Sequence, residues 1–123
     1  MHFTFKFAQD HLRAELFGRQ TVEETQQFVC ALVAEARKHS ATRILIWVRN
    51  SRPIFKVEPN KLSEQFKQLA AQKGVRIALL ADADEVRASH QYLEVLAGQQ
   101  GAQVRAFREE SRALNWLTAQ SQE

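Results

Sequence analysis

The sequence predicts an α/β domain in which a mostly parallel sheet, opened by an N-terminal antiparallel hairpin, is covered by helices in the order ββαβαβαβα. Three observations carry that reading. The chain begins with period-two alternation of apolar residues. Two later segments, Arg43–Val48 and Val75–Ala81, are nearly continuous apolar runs of the kind found in strands covered on both faces. Between the runs, apolar residues recur at helical spacing, and strands joined by helices of that length imply parallel pairing with right-handed crossovers. The 123 residues suit a single domain, 1–123, without repeat, linker or low-complexity tract.

Phe3, Phe5 and Phe7 share one face of the first strand. After Gln9-Asp10, Leu12, Ala14 and Leu16 do the same in the second, which reads as a hairpin. An aromatic row could stack bases or meet lipid, but under helices such alternation is the core side of a sheet. Gly18 ends the hairpin, and Thr21-Val22-Glu23-Glu24 has the spacing of a capping box. The helix it starts buries Phe28, Val29, Leu32, Val33 and Ala36 and runs to about Lys38, with His39 placed at its negative end. Cys30 lies within it as an ordinary small helical residue.

Arg43–Val48 is the central strand, broken by Arg49-Asn50-Ser51-Arg52-Pro53. Ile54-Phe55-Lys56-Val57 leads to Pro59, which suits the first turn of a helix with the buried stripe Leu62, Phe66, Leu69 and Ala70; Gly74 follows as its C-terminal cap. After the strand Val75–Ala81, Asp82 and Asp84 offer N-caps for a helix carrying Val86, Leu93, Leu96 and Ala97, which Gly98 and Gly101 punctuate. Gln103–Phe107 is the last strand. Ala113, Leu114 and Leu117 form a short closing helix that Trp116 docks onto the body.

Composition narrows the function. An apolar fraction of 45% with 25% charged residues, 4 Gly and 2 Pro excludes collagenous and disordered chains. No apolar run reaches the roughly 18 residues of a membrane span, and the alternating N-terminus lacks the pattern of a secretory leader, so the expected location is cytoplasmic. A single cysteine permits no internal disulfide and no Cys-based zinc site. Residues 37–76 hold ten Lys/Arg against two Glu, while both flanking segments are net negative. That asymmetry invites an anionic partner, although most of these charges fall on helix faces and strand ends, where a solvated surface is the default and nucleic acid ranks behind it.

Ligands of open α/β sheets sit beyond the carboxyl ends of the strands, which singles out three loops. Arg49-Asn50-Ser51-Arg52 offers two guanidinium forks for an anion near helix amides. Asp82-Ala83-Asp84-Glu85 offers paired carboxylates for a metal, against the plainer reading of both Asp as caps. Arg108-Glu109-Glu110-Ser111 is the third. Trp47, an indole in a covered strand, needs volume and an N–H partner, and together with Ile54 and Phe55 it suggests a pocket wall. His2 and His11 would form half a metal site if they faced each other across the hairpin, but further ligands are not in view. No nucleophile elbow, phosphate-binding loop, dinucleotide fingerprint or His-Glu-x-x-His is present, so no catalytic residue, metal or cofactor is assigned.

The element order, the opening hairpin, the strand Ile44–Val48 and the closing Ala113-Leu114-Asn115-Trp116-Leu117 resemble the STAS superfamily, specifically its SpoIIAA-like (STAS/Sec14-like) branch, over almost the whole chain. The resemblance implies a non-enzymatic regulatory or ligand-binding domain. Switch-type members have a carboxylate where Trp47 stands and an Asp-Ser-Ser-Gly-like segment at the mouth of the next helix. Here that stretch is Lys56-Val57-Glu58-Pro59-Asn60, which has no hydroxyl to phosphorylate, and Ser51 and Ser63 flank it without matching.

The resulting expectation is a module that binds a protein partner or a small apolar or anionic ligand without a serine phospho-switch, using Trp47, Arg49, Asn50, Ser51, Arg52, Ile54, Phe55, Asp82 and Asp84. A carrier of an apolar, lipid-like ligand is the alternative, and a nucleic-acid binder working through 37–76 ranks behind that. The hairpin's outer strand leaves a sheet edge at which a second copy of the chain would pair.

Overall fold

Thr21 fixes where the chain first leaves the sheet. Its hydroxyl accepts from Glu24 N (3.1 Å), and Glu24 Oε1 accepts from Thr21 N (3.2 Å) and Gln20 N (2.6 Å), completing the predicted capping box. Helix α1 (Val22–Lys38) starts there and buries Phe28, Val29, Leu32, Val33 and Ala36. The computed structural model describes residues 1–8, 10–52, 68, 69, 72, 74–99 and 101–119, with the side chains of Ala8 and Leu96 excepted.

Strands β1 (His2–Ala8) and β2 (His11–Phe17) precede α1, and β3 (Arg43–Arg49), β4 (Arg76–Ala81) and β5 (Gln103–Phe107) follow it. Helix α2 (Asp84–Gln99) joins β4 to β5, and α3 (Glu110–Thr118) comes last. The sheet order is β1-β2-β3-β4-β5, with β1 antiparallel to β2 and the other neighbours parallel. This is the expected mixed α/β sheet. The helix expected after Pro59 lies outside the described residues apart from Gln68 and Leu69, which are helical.

Side-chain alternation along the strands makes two cores. On one face Leu12, Ala14, Leu16, Ile44, Ile46, Val48, Ile77, Leu79 and Ala81 pack with the apolar stripe of α1, with Leu69 and with Val86 of α2. On the other, Leu45, Ala78 and Leu80 receive Ala113 and Leu117 of α3, with Trp47, Phe107, Leu114 and Trp116 around them. Helix cover of the second face is partial. Over β1 and β2 that face carries Thr4, Lys6, Arg13 and Glu15, exposed or half-buried, and none of them belongs to the apolar cluster under α3. Alternation explains why these positions are polar: a strand whose second face meets water keeps its apolar residues on the first.

Phe3 and Phe5 pack on Phe28, with ring centroids 5.6 and 5.9 Å away, as a core stripe should. Phe7 does not follow them. It is 40% exposed and stacks at 4.7 Å on His39, the residue that caps α1. His2 and His11 do not face each other across the hairpin. His2 pairs with Phe17 and His11 with Ala8, at opposite ends of the hairpin.

Arg76, part of the basic central segment, is only 8% exposed and donates from Nη1 to Trp116 O (2.8 Å) and Ala119 O (2.7 Å). It satisfies carbonyls at the C-terminal end of α3 that have no partner within the helix. Arg76→Met should therefore lower unfolding stability by about 2–3 kcal/mol in urea titration. Amide exchange in α3 should also accelerate well before that in α1. Equal protection of both helices in the variant would contradict the anchoring role.

Candidate functional site

Because β2, β3 and β4 are parallel, Phe17, Arg49 and Ala81 finish at one edge of the sheet, and the chain segments that leave them are neighbours. Gly18, at φ +70°, takes a left-handed turn out of β2 and donates its N–H to Arg49 O (3.1 Å). Arg19 then grips the next loop at three points. Its N–H donates to Ser51 Oγ (3.1 Å), its carbonyl accepts from Arg52 N (2.9 Å), and its Nη2 donates to Arg52 O. Ser51 Oγ donates in turn to Arg49 O (2.9 Å).

The other flank of the loop is held by Asp82. Asn50 sits at φ +47°, a conformation Asn tolerates better than most residues, and its N–H donates to Asp82 Oδ2 (3.0 Å) and Oδ1 (3.3 Å). Asp82 N donates back to Val48 O (3.3 Å). Residues 50–52 are thus pinned from both sides, and with Gln20, Asp82 and Ala83 they are the described residues lining a cleft of about 310 Å³.

The expected site residues divide. Asn50, Ser51, Arg52 and Asp82 meet at the cleft, with Arg52 exposed at its rim. Asp82 does not cap α2, since its carboxylate is turned to Asn50; the carbonyl of Ala83 takes the first helical bond, from Arg87 N (3.0 Å). Asp84 pairs with Arg87 (2.6 Å) and lines a separate depression of about 130 Å³ beside Phe107 and Arg108. Ile54 and Phe55 lie outside the described residues.

Trp47 and Arg49 belong to a different cluster, because odd-numbered β3 residues face α3. Trp47 Nε1 donates to Glu110 Oε1 (2.7 Å), and the Arg49 guanidinium lies 4.1 Å from the centre of the Trp47 rings. Arg13 reaches the same Glu110 oxygen from Nη2 (2.8 Å) and donates to Glu15 Oε1 from Nε (2.9 Å), while Arg49 pairs with Glu15 Oε2 (3.5 Å). Hydrogen bonds from Arg13 and then Trp47 hold the Glu110 carboxyl below its ordinary range. Partial burial opposes the charge of Arg13, but its bonds to Glu110 and Glu15 outweigh that and raise its pKa. The indole's N–H partner is therefore a carboxylate at the start of α3, and Trp47 is not among the residues lining the cleft.

Two residues that the sequence reading passed over stand behind the cleft. Arg19 is 7% exposed, and its Nε has no hydrogen-bond partner among the described residues. Burial lowers its pKa, partly offset by the charge of Glu24. His90, on α2, is 3% exposed with Nδ1 likewise unpartnered; burial first, and the charge of Arg19 second, push its pKa down to about 4. A signal for Arg19 did exist: the helical crossover from β2 to β3 already implied parallel strands, so the loop after β2 had to join the others. Nothing in a mid-helix His marks it as buried.

Among the described residues no group of three or more His, Cys, Asp or Glu is placed to hold a metal ion. No described helix is long and apolar enough to cross a membrane. Compared with known proteins, the chain matches no family model, no curated protein and no solved structure.

His90 makes stability depend on pH with a definite sign. Neutral in the fold down to about pH 4 and titrating near 6.5 when unfolded, it lets the unfolded chain bind the extra proton between those values. Its contribution is whole above pH 6.5 and is lost as pH falls toward 4. Urea unfolding from pH 7.5 to 4.5 should show a loss on the order of 3 kcal/mol that His90→Gln largely removes. Parallel pH profiles for the two proteins would refute the assignment.

Proposed function

We propose that the chain is a non-enzymatic binding module of the STAS-like kind, recognising an anionic group on a protein partner or small ligand through the cleft at the carboxyl ends of β2, β3 and β4. The observation that carries this reading is the double pinning of residues 50–52 by Arg19 and Asp82, which holds Arg52 at the rim of a preformed cleft. A loop ordered before binding loses little entropy on contact. The position also fits the general rule for ligands on open α/β sheets.

Some of the residues that motivated the competing readings are engaged elsewhere in the fold. An apolar carrier was suggested by Trp47 with Ile54 and Phe55; Trp47 donates to Glu110 beneath Arg49, in a charged setting unsuited to a hydrocarbon chain, and Ile54 and Phe55 lie outside the described residues. A nucleic-acid surface was suggested by the basic segment, yet Arg76 is buried on α3 carbonyls, Arg43 donates to the Gly74 carbonyl, and Arg49 is engaged with Glu15 and Trp47. A mechanism without a serine phosphoacceptor remains the one the sequence around Lys56–Asn60 favours.

Arg49 and Arg52, adjacent to the same loop, should behave differently. Arg52→Ala, an exposed change expected to move stability by less than about 0.5 kcal/mol, should abolish capture of the partner from extracts of the source cells. Arg49→Ala should keep that capture while loosening the packing of Trp47, seen in its fluorescence. Identical capture by both variants and the unaltered chain would overturn the cleft as the binding surface.

A further inference from the structure

Strand β1 ends the sheet, and no described strand pairs with its outer edge. Its seven residues match β2 one for one, from His2 opposite Phe17 to Ala8 opposite His11, with no bulge, proline or glycine. Such an edge presents a row of unpaired N–H and C=O groups, which monomeric sheets blunt by short strands, charge or cover. The opposite edge is blunted: β5 has five residues and carries the exposed Arg105 at its centre. Apolar side chains gather instead at β1. Among the described residues four large ones are exposed, and two of them, Met1 at 39% and Phe7 at 40%, stand at the two ends of this strand. Both lie on the α1 side, since the Met1 ammonium meets Glu24 in the first turn of α1 (3.4 Å) and Phe7 stacks on His39 at its end. Phe3 and Phe5, between them on the same face, are only half-buried.

We propose that β1 pairs antiparallel with β1 of a second copy of this chain, about a two-fold axis at Thr4, so that two sheets become one. Pairing that keeps the apolar rows on one side sets odd residues opposite odd and even opposite even. With the axis at Thr4, Met1 lies opposite the partner's Phe7 and Phe3 opposite the partner's Phe5, so each exposed end of the row covers the other. Thr4 meets the partner's Thr4, a favourable cross-strand pair, and Lys6 meets the partner's His2. Other registers do worse. An axis at Phe3 leaves Phe7 without an apolar partner, one at Phe5 leaves Met1 without one, and one at Lys6 opposes two ammonium groups. Because β1 is antiparallel to β2, the pairing also sets β2 antiparallel to the partner's β2, and the two clefts lie at opposite ends of the joint sheet. Such a dimer bridges two binding partners and does not grip one at two points.

Sedimentation equilibrium of the full chain from about 1 μM to about 1 mM tests the pairing, and the expected result is a mass that rises from that of one chain toward that of two. Thr4→Lys should weaken the dimer about tenfold, since it sets two ammonium groups together at the axis beside Lys6. The single chain should tolerate the change, because Thr4 is exposed and stands opposite Glu15 on β2. Should that variant not fold, cysteine placement decides. Under mild oxidation Thr4→Cys should link to the same position of the second copy, whereas Lys6→Cys, far from its own counterpart in this register, should not; peptide masses separate these links from any through Cys30. A chain that stays single through the whole range leaves the edge to a foreign strand and overturns the proposal. A dimer of unchanged strength in Thr4→Lys overturns it as well, and points to Tyr92 and Val95, the other exposed apolar side chains, on α2. Equal linking of the two cysteine variants overturns the axis at Thr4.

Discussion

Parallel pairing of β2 with β3, in the register that sets Phe17 beside Arg49, brings together residues 18–20 and 50–52 that are some thirty positions apart. Every contact that shapes the cleft follows from it. The Gly18, Arg19 and Ser51 hydrogen bonds exist because two strands end side by side, and β4 extends the same logic by placing Asp82 against Asn50. The register itself is enforced by burial. Leu12, Ala14 and Leu16 face the α1 side with Ile44, Ile46 and Val48, and a slip by one residue would turn each of them to the opposite face.

The two faces of the sheet are stabilised by different physics. Under α1 and α2 the core is apolar and extended, and burial of its Leu, Ile and Val side chains at about 1.5–3 kcal/mol each dominates whatever polar contacts add. The α3 face is smaller and relies on ionic groups at both ends of the helix, Glu110 with Trp47 and Arg13 at the start and Arg76 on its last carbonyls. Such groups contribute direction more than energy: apolar packing alone would tolerate rotation of α3, whereas a carboxylate fixed to an indole N–H and a guanidinium does not.

Arg19 and His90 stand apart from both patterns. In cores built as consistently as these, buried polar groups without partners are the exception, and among the described residues Arg19 Nε and His90 Nδ1, like Arg49 Nε and Arg87 Nε, have none, the first two being electrostatically coupled. Their location at the carboxyl ends of parallel strands is where α/β sheets generally place ligands, and it gives the unsatisfied atoms a physical context.

Strand and helix periodicity, the Thr21 capping box and the long apolar runs determined the order of the described strands and helices and most of the core they form, since each is a local property that the backbone converts directly into structure. The site was legible only in part. Position after a strand was enough to select Asn50, Ser51, Arg52 and Asp82, but not to separate them from Trp47 and Arg49, because which side a strand's final residues turn to depends on where its left-handed exit at Asn50 falls. Nor could composition show that Asp82 restrains a loop instead of capping a helix, that Arg76 is a buried anchor, or that Arg19 is buried against Ser51 and Arg52. Those are facts about distances between residues remote in sequence, and only the packed sheet brings the groups close enough for charge and hydrogen bonding to act.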